Sequence, residues 1–445
     1  VDCHRLDARG RRDTRTRRMS TQKRPRSHKV VLVINVLLSF VLVTAGVVVI
    51  WANNKVGDRL VVSIDGATSS ASTAESGATT GNEWNYDTNS LRPKNFLLTG
   101  SDNGACPDAG DGTAGGIGDR GTFGERSDTI MILRVDPGVN DVAVLSFPRD
   151  LWVSIAGTTR QARINSAFDA KDPSRLIRTI GENFDVPVDH YVNVNLCAFK
   201  EIVDSVGGVK IPFDYRTKDD RVGFSEVGPG CVELRGSQAL AYVRSRSGYK
   251  FFDETKQKWS GDPTGDIGRI NRQQDFLRRS MQRALDRAST NPATANALLN
   301  VALQRVITDD RITPRDLLTL AQAMRNLDTT GVKSYTIEWS MRRIGGESVL
   351  MPIIDTDSMK QILSVFRGEA VVDKAASDES ATMRSGTAAF GDQLSGTAFV
   401  GTTQLASALL TFLAADDDTT TTTIPSVSPK QKRLGVFPPN DPSCR

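Results

Sequence analysis

Histidine is almost missing from this chain, with three in 445 residues. His4 and His28 lie in a basic N-terminal stretch, so a Ser-His-Asp or Cys-His hydrolase would have to depend on His190 alone. A zinc site built from several histidines is excluded on the same ground. Chemistry here has to rest on carboxylates, arginines and a bound hard cation. Proteins handle phosphoryl groups with that set, because the charge of the transition state sits on several oxygens that need fixed positive partners. Cysteine is sparse too, at five, so the fold cannot be a disulfide scaffold and must build a core.

The composition allows one. With 39% hydrophobic and 24% charged residues, the chain has room for one large or two ordinary domains. A net charge of +4 is small but unevenly placed, since residues 1–29 hold eleven Lys or Arg against three Asp. Directly after them comes VVLVINVLLSFVLVTAGVVVIWA, Val30–Ala52, uncharged and long enough to cross a bilayer as one helix. A cleaved signal peptide has a shorter apolar core and a small-residue cleavage site. The expectation is therefore an uncleaved anchor, with the basic arm in the cytoplasm and the remainder outside the cell membrane. Basic residues abutting an apolar span set topology, and they argue against nucleic acid as a partner. Met19 lies inside the arm and offers a second possible start.

The chain divides into a cytoplasmic arm (1–29), a transmembrane helix (30–52), a flexible linker (53–92), a folded domain (93–370) and a Ser/Thr-rich disordered tail (371–445). Within the domain, NFLLTG, TIMILRV and DVAVLSF read as strands, the last two joined through Pro137-Gly138. Their near-continuous apolarity predicts a sheet covered on both faces. Helices are expected at 174–184, at FKEIVDSV, at the start of SQALAYVRSR, at 266–288, and at 294–307 and 313–326, and residues 358–366 close the ordered part. HYVNVNL, VKIPF and KSYTIEW supply further strands. The expected fold is an α/β/α sandwich around a central mixed sheet, preceded by one transmembrane helix. Cys106, Cys197, Cys231 and Cys444 would lie in a compartment that permits disulfides. Cys197 with Cys231 is the expected pair, and two buried thiols are the alternative.

Asp266, Arg269 and Gln273 fall at i, i+3 and i+7 of the long helix, on one face. That stripe continues into Leu277, Met281 and Ala284, while Arg272, Asp275 and Arg279 are expected to point away. Buried polar groups must be paired, so the three form a structural network or line a site. Arg149 and Asp150 close a strand in SFPRD, Arg163 and Asn165 stand in RINSAF, and Arg244 and Arg246 in YVRSR. Arginines at the ends of elements in a covered α/β sheet point to an anionic ligand.

GSD at 100–102, RSDTIMI at 126–132, SFPRD, RINSAF, DHYVNVNL, the F-x-x-I-V-D-x-x-G-G-V run at 199–209, ALAYVRSR and GRINRQQ occur in this order. Together they resemble the LytR-CpsA-Psr family of cell-wall ligases over roughly residues 94–285, with a tail to 367. The resemblance implies an enzyme, a phosphotransferase that moves a glycopolymer phosphate from a polyprenyl-pyrophosphate carrier to a muramic acid hydroxyl of peptidoglycan, with Mg²⁺ or Mn²⁺ as cofactor. It implies Asp102 and Asp128 as metal ligands, and Arg126, Arg149, Arg163, Arg244, Arg246 and Arg269 as the pyrophosphate cradle. Asp266 and Gln273 would support the cradle, and Asp150 and Asp266 are candidates for taking the acceptor's proton. Apolar walls would hold the prenyl chain.

Two segments depart from the family pattern. A Gly-rich loop at 103–124 stretches the separation of Asp102 from Asp128, which leaves Asp108, Asp111 or Asp119 as substitute ligands. SGYKFFDETKQKWSGDPTG splits ALAYVRSR from DIGR, and its Tyr249, Phe251, Phe252 and Trp259 are either sugar-stacking residues or part of a disordered loop. Three other functions compete: a lipid-pyrophosphate phosphatase using the same cradle, an envelope-linked transcriptional attenuator, and a scaffold that only binds polyprenyl lipid. The attenuator lacks a helix-turn-helix pattern, and the scaffold would not need the Arg and Asp constellation.

Overall fold

The computed structural model describes residues 60–64, 92–101 and 127–372 apart from 314, 315, 317, 318, 321 and 322, together with 425–429, 431, 436, 438–441, 443 and 444. All of them fall in one unit, Asp58–Arg445. The expected arm and transmembrane helix lie outside the described residues. Among those described, no helix is long and apolar enough to cross a membrane.

Seven strands form the central sheet: β1 (Val61–Val62), β2 (Lys94–Ser101), β3 (Ser127–Asp136), β4 (Asp141–Ser146), β5 (His190–Asn195), β6 (Ile307–Asp309) and β7 (Lys333–Thr336). Their order across the sheet is β1-β6-β5-β2-β3-β4-β7. β2 runs antiparallel to β3 and parallel to β5, and β7 runs parallel to β4, so the sheet is mixed. The β3–β4 connection turns because the Asp136 carboxylate accepts from Gly138 N at 3.0 Å, and Asn140 takes a left-handed φ of 51°.

Both faces are covered, as the apolar runs predict. On one face Ile130, Ile132 and Leu145 pack against Leu176, Ile177 and Ile180 of the helix Ser174–Phe184 and Ile362 and Phe366 of the helix Asp357–Arg367. On the other, Met131, Val142 and Val144 meet Met324 and Leu327, with Leu277, Met281 and Leu285 of the long helix Asp266–Thr290 against them. Each fully buried aliphatic side chain contributes roughly 1.5–3 kcal/mol. A separate core joins the helices Leu196–Ser205 and Gly236–Arg244 to the hairpin Val209–Phe213 with Gly230–Leu234. VKIPF is thus a strand, but outside the central sheet.

Several expectations need correcting. The linker is not structureless throughout: Val61–Val62 pairs with β6, and Ile64 is buried in the first core. Its run LVVSI is apolar enough to join the sheet edge. The described part of the tail is also folded. Ser426–Val427 pairs with Val371–Val372, and the Gln431 amide bonds Thr336 N and O at 2.7 Å each, covering part of the exposed edge of β7. Cys231 forms a disulfide with Cys444 and not with Cys197. Cys197 is itself disulfide-bonded.

Arg272, Asp275 and Arg279 do not point away from the protein. All three are buried, at 0%, 4% and 8% exposure, because the tail and the 247–265 segment cover that side of the helix. Arg272 binds Asp262 at 2.7 Å, Ser245 O at 2.9 Å and Val436 O at 3.1 Å. Arg279 binds Asp275 at 2.8 Å and Pro439 O at 2.9 Å. The 247–265 segment is no disordered loop. Lys250–Asp253 and Lys258–Gly261 form a hairpin in a four-stranded sheet, with Tyr249 fully buried under the Arg272 guanidinium at 4.1 Å.

Candidate active site

Four separate elements deliver charged side chains to one place at the sheet's edge. Asp128 stands near the start of β3, where the chain enters the sheet. Arg149 and Asp150 follow β4, in a turn closed by Leu151 N donating to Pro148 O at 3.0 Å. Asp266 opens the long helix, and its carboxylate is favoured by the positive helix end. Arg246 comes two residues after the helix Gly236–Arg244. The backbone there is extended, so side chains alternate: Ser245 turns inward to Asp219 and Arg246 outward to Asp266.

The resulting network is continuous. Arg246 Nε lies 2.9 Å from Asp266 Oδ1, and so does Arg269 of the next helical turn. Arg269 also reaches Asp128 Oδ2 at 3.1 Å and donates to Asp128 O at 2.8 Å. Arg149 donates to the other Asp128 oxygen and lies 3.6 Å from Asp150. Asp150 in turn lies 3.3 Å from Arg163, which bridges to Glu347 at 2.5 Å. Gln273 donates to Val243 O at 3.1 Å and so ties the helix that carries Arg244 to the long helix. Arg244 is half-buried in the last turn of its helix.

The linked set carries four guanidinium groups and four carboxylates, and at its centre Arg149, Arg246 and Arg269 converge on Asp128 and Asp266. Burial alone would push Asp128 up, but Arg269, Arg149 and Arg246 outweigh it and hold its carboxyl below the ordinary carboxylate range. Arg149 answers in kind: burial pulls it down, and Asp128, Asp266 and Asp150 more than restore it. Burial wins for Arg269, whose pKa is lowered despite its two carboxylate partners. Asp266 Oδ1 is taken up by two guanidinium groups at 2.9 Å, whereas its Oδ2 has no hydrogen-bond partner among the described residues. A buried carboxylate with unused lone pairs has acceptor capacity left for a ligand.

Seven of the expected site residues are thus linked: Asp128, Arg149, Asp150, Arg163, Arg246, Asp266 and Arg269. Gln273 acts as a brace. Asp102, Arg126 and the substitute ligands Asp108, Asp111 and Asp119 lie outside the described residues. Glu347 was not legible in the sequence, since it sits in an exposed turn of the hairpin Glu338–Ile344 with Glu347–Ile353, with no motif around it. Among the described residues, no three acidic, Cys or His side chains form a metal cluster. Magnesium does not require one, since it is commonly held by one or two carboxylates plus substrate phosphates. Asp128 and the unpartnered Oδ2 of Asp266 are hard oxygen donors of that kind, so these residues fit the ion.

A mixed α/β sheet with arginines and carboxylates gathered at its strand ends is suited to an anionic ligand. The chain belongs to the LytR_cpsA_psr family, whose model matches residues 60–366. It is 35% identical over 162 residues to a Bacillus cereus protein named polyisoprenyl-teichoic acid–peptidoglycan teichoic acid transferase TagU, a match covering 36% of this chain and 48% of that one. A Bacillus subtilis protein named polyisoprenyl-teichoic acid–peptidoglycan teichoic acid transferase TagV is 33% identical over 209 residues, 44% of this chain and 49% of that one. The chain spans about half the length of these curated relatives. The solved structure of protein gbs0355 from Streptococcus agalactiae shares the fold, with a TM-score of 0.50 at 19% identity over 63% of this chain and 89% of that one.

Proposed function

We propose that this protein is a membrane-anchored transferase that moves a glycopolymer phosphate from a polyprenyl-pyrophosphate carrier to a peptidoglycan hydroxyl, with muramic acid as the acceptor sugar. The observation that carries this reading is the convergence of Arg149, Arg246 and Arg269 on Asp128 and Asp266. The names of the TagU and TagV relatives agree with it. Arg149, Arg246 and Arg269 would bind the non-bridging oxygens of the pyrophosphate, and Arg126, Arg163 and Arg244 would complete the cradle. Fixed guanidinium groups stabilise charge that develops on the leaving phosphate without having to reorganise. Asp102, Asp128 and Asp266 would hold Mg²⁺ or Mn²⁺, which when bound supplies Lewis-acid polarisation of phosphoryl oxygens.

The acceptor hydroxyl would lose its proton to a carboxylate at this mouth. Asp150 and Asp266 are the candidates: Asp150 lies 3.3 Å from Arg163 and 3.6 Å from Arg149, and Asp266 lies 2.9 Å from both Arg246 and Arg269. The apolar elements around the cradle would accommodate the prenyl chain. Val30–Ala52 would anchor the chain in the cell membrane with the domain outside.

The test is to incubate the full-length protein in detergent with a short-chain lipid-pyrophosphate-sugar donor and a peptidoglycan oligomer, with and without Mg²⁺, beside Arg149→Ala. A metal-dependent phosphodiester-linked conjugate, absent from the variant, supports the transferase. Release of sugar phosphate without conjugate would replace it with a phosphatase. Lipid binding with no turnover would replace it with a scaffold.

A further inference from the structure

The hairpin Lys250–Asp253 with Lys258–Gly261 interrupts the family motifs and presents an unusual outer face. Its register pairs Phe252 with Trp259, and Lys250 with Lys218 of the neighbouring strand Thr217–Asp219. Directly paired residues lie on one side of a sheet, so Lys218, Lys250, Phe252 and Trp259 share a face. Arg216 joins them, two residues from Lys218 and opposite Phe252, whose N donates to Arg216 O at 2.8 Å. The intervening Thr217 and Asp219 are buried at 2% and 1% exposure, so the opposite face is the inward one.

On the outer face, rings and cations are interleaved. The Arg216 guanidinium lies 4.8 Å from the Phe252 centroid and 5.6 Å from that of Trp259, with Lys218 Nζ 5.0 Å from Trp259. The two rings meet edge to face at 5.5 Å. The side chains of Arg216, Lys218 and Lys250 remain 40%, 27% and 45% exposed. Among the described residues, Glu226 and Asp220 are the acids paired with these three cations, with Asp220 shared between the two lysines at 3.5 and 3.8 Å. Phe252 and Trp259 are half-buried, and the ring area left uncovered by Arg216 and Lys218 offers stacking for the C–H face of a pyranose, while the one cation in excess of the two acids offers charge to an anionic substituent on it.

The position of this face matters as much as its chemistry. The hairpin leaves the fold after Arg246 and returns at Asp266, and those two residues are bound to each other at 2.9 Å in the candidate active site. Phe252 is six residues along from Arg246, and the first of these close a turn in which Tyr249 N donates to Arg246 O at 3.0 Å, so the rings lie within roughly 20 Å of the cradle. A chain of several sugars whose terminal phosphate lies in the cradle can span that distance.

We propose that this face is a subsite for the donor's glycan: an anionic chain of pyranose rings carrying phosphate or carboxylate, stacked on Trp259 and Phe252 and paired with Arg216, Lys218 and Lys250. The inference rests on the transferase reading for the donor, but not for the binding of the glycan itself.

The test separates the two. Full-length protein in detergent is titrated with phosphomannan oligosaccharide, and with the same mannan stripped of phosphate, following tryptophan fluorescence and calorimetry. The phosphorylated oligomer should bind more tightly than the neutral one. Trp259→Ala should weaken it roughly tenfold, and Lys218→Glu with Lys250→Glu, which leaves both rings in place, should weaken it at least as much and erase the preference for phosphate. Equal Kd values for wild type and both variants overturn the proposal, as does equal binding of the two oligomers. In the transfer assay, the Trp259→Ala loss should be larger for a donor with a long anionic chain than for a one-sugar donor. Equal losses with the two donors overturn the assignment to the donor chain. Absence of transfer in every sample would count against the transferase, while the phosphomannan titration still decides the subsite.

Discussion

Arg272 meets Asp262 at 2.7 Å with both side chains fully removed from solvent, and the same guanidinium holds the carbonyl of Ser245 at 2.9 Å. Ser245 lies between Arg244 and Arg246, and Asp262 lies at the return of the hairpin, four residues before Asp266. One buried cation therefore holds both sides of the active-site mouth from behind. Breaking a buried pair leaves an uncompensated charge, at a cost of roughly 3–5 kcal/mol. Arg272→Met should show that loss in urea denaturation. Arg272→Met with Asp262→Leu should recover a good part of it, because no lone charge remains.

Removing the Arg149 side chain takes away one of three converging cations without opening the core. Arg149→Ala is expected to lower the rate of conjugate formation by roughly 10²–10³-fold, with little change in the denaturation midpoint. Rates under saturating donor, beside a melting curve, check both halves of that statement.

Asp309 supports the sheet edge. Its carboxylate accepts from Tyr191 N at 2.8 Å and from Arg311 N at 2.9 Å, and lies 3.3 Å from His190 Nδ1. Burial pushes it up, but His190 and these backbone donors outweigh burial and hold it below the ordinary range. A carboxylate with a depressed folded pKa stabilises fully above its unfolded value of about 3.9, and that contribution is lost as pH falls through the lower folded value. Asp309→Asn should be less stable than wild type at pH 7, by roughly 1–3 kcal/mol. The gap should narrow on acidification below about pH 4. Urea midpoints from pH 7 to pH 3 give the comparison.

The Cys231–Cys444 bond closes a loop spanning 213 residues of sequence. Cys444→Ser should cost about 2–5 kcal/mol, since such a bond restricts the unfolded chain. Arg279 would keep its Asp275 partner but lose its fixed hold on Pro439 O and Cys444 O. The thermal midpoint in non-reducing buffer reports the loss.

Most of the sheet and much of the site could be read from sequence because they are local. β3 and β4 announce themselves by continuous apolarity, and Asp266, Arg269 and Gln273 by helical spacing. The destination of Arg272 and Arg279 could not be read in that way. Helical phase places them off the main apolar stripe, and the groups that bury them come from elsewhere: Ser245 O and Asp262 for Arg272, and carbonyls of the tail, more than 150 residues further on, for both. The hairpin at 250–261 was obscured by its charged residues, yet its outer face is polar for a reason, because it packs on one side only. The disulfide was misassigned for a similar cause: Cys231 and Cys444 are neighbours solely through the return of the tail.

That return changes what a nick in the chain would do. Residues 372 and 426 end adjoining strands, since Val371 pairs with Ser426 and Val372 with Val427, and Cys444 is bonded to Cys231. Ser426 is thereby held beside Val371 whatever path the intervening chain takes. A protease that cuts within residues 373–425 produces two polypeptides that remain one molecule, a single band on a non-reducing gel and two after thiol treatment. The smaller piece would still carry Gln431 on β7 and the carbonyls that cap Arg272 and Arg279, so the clipped protein should stay folded and keep working.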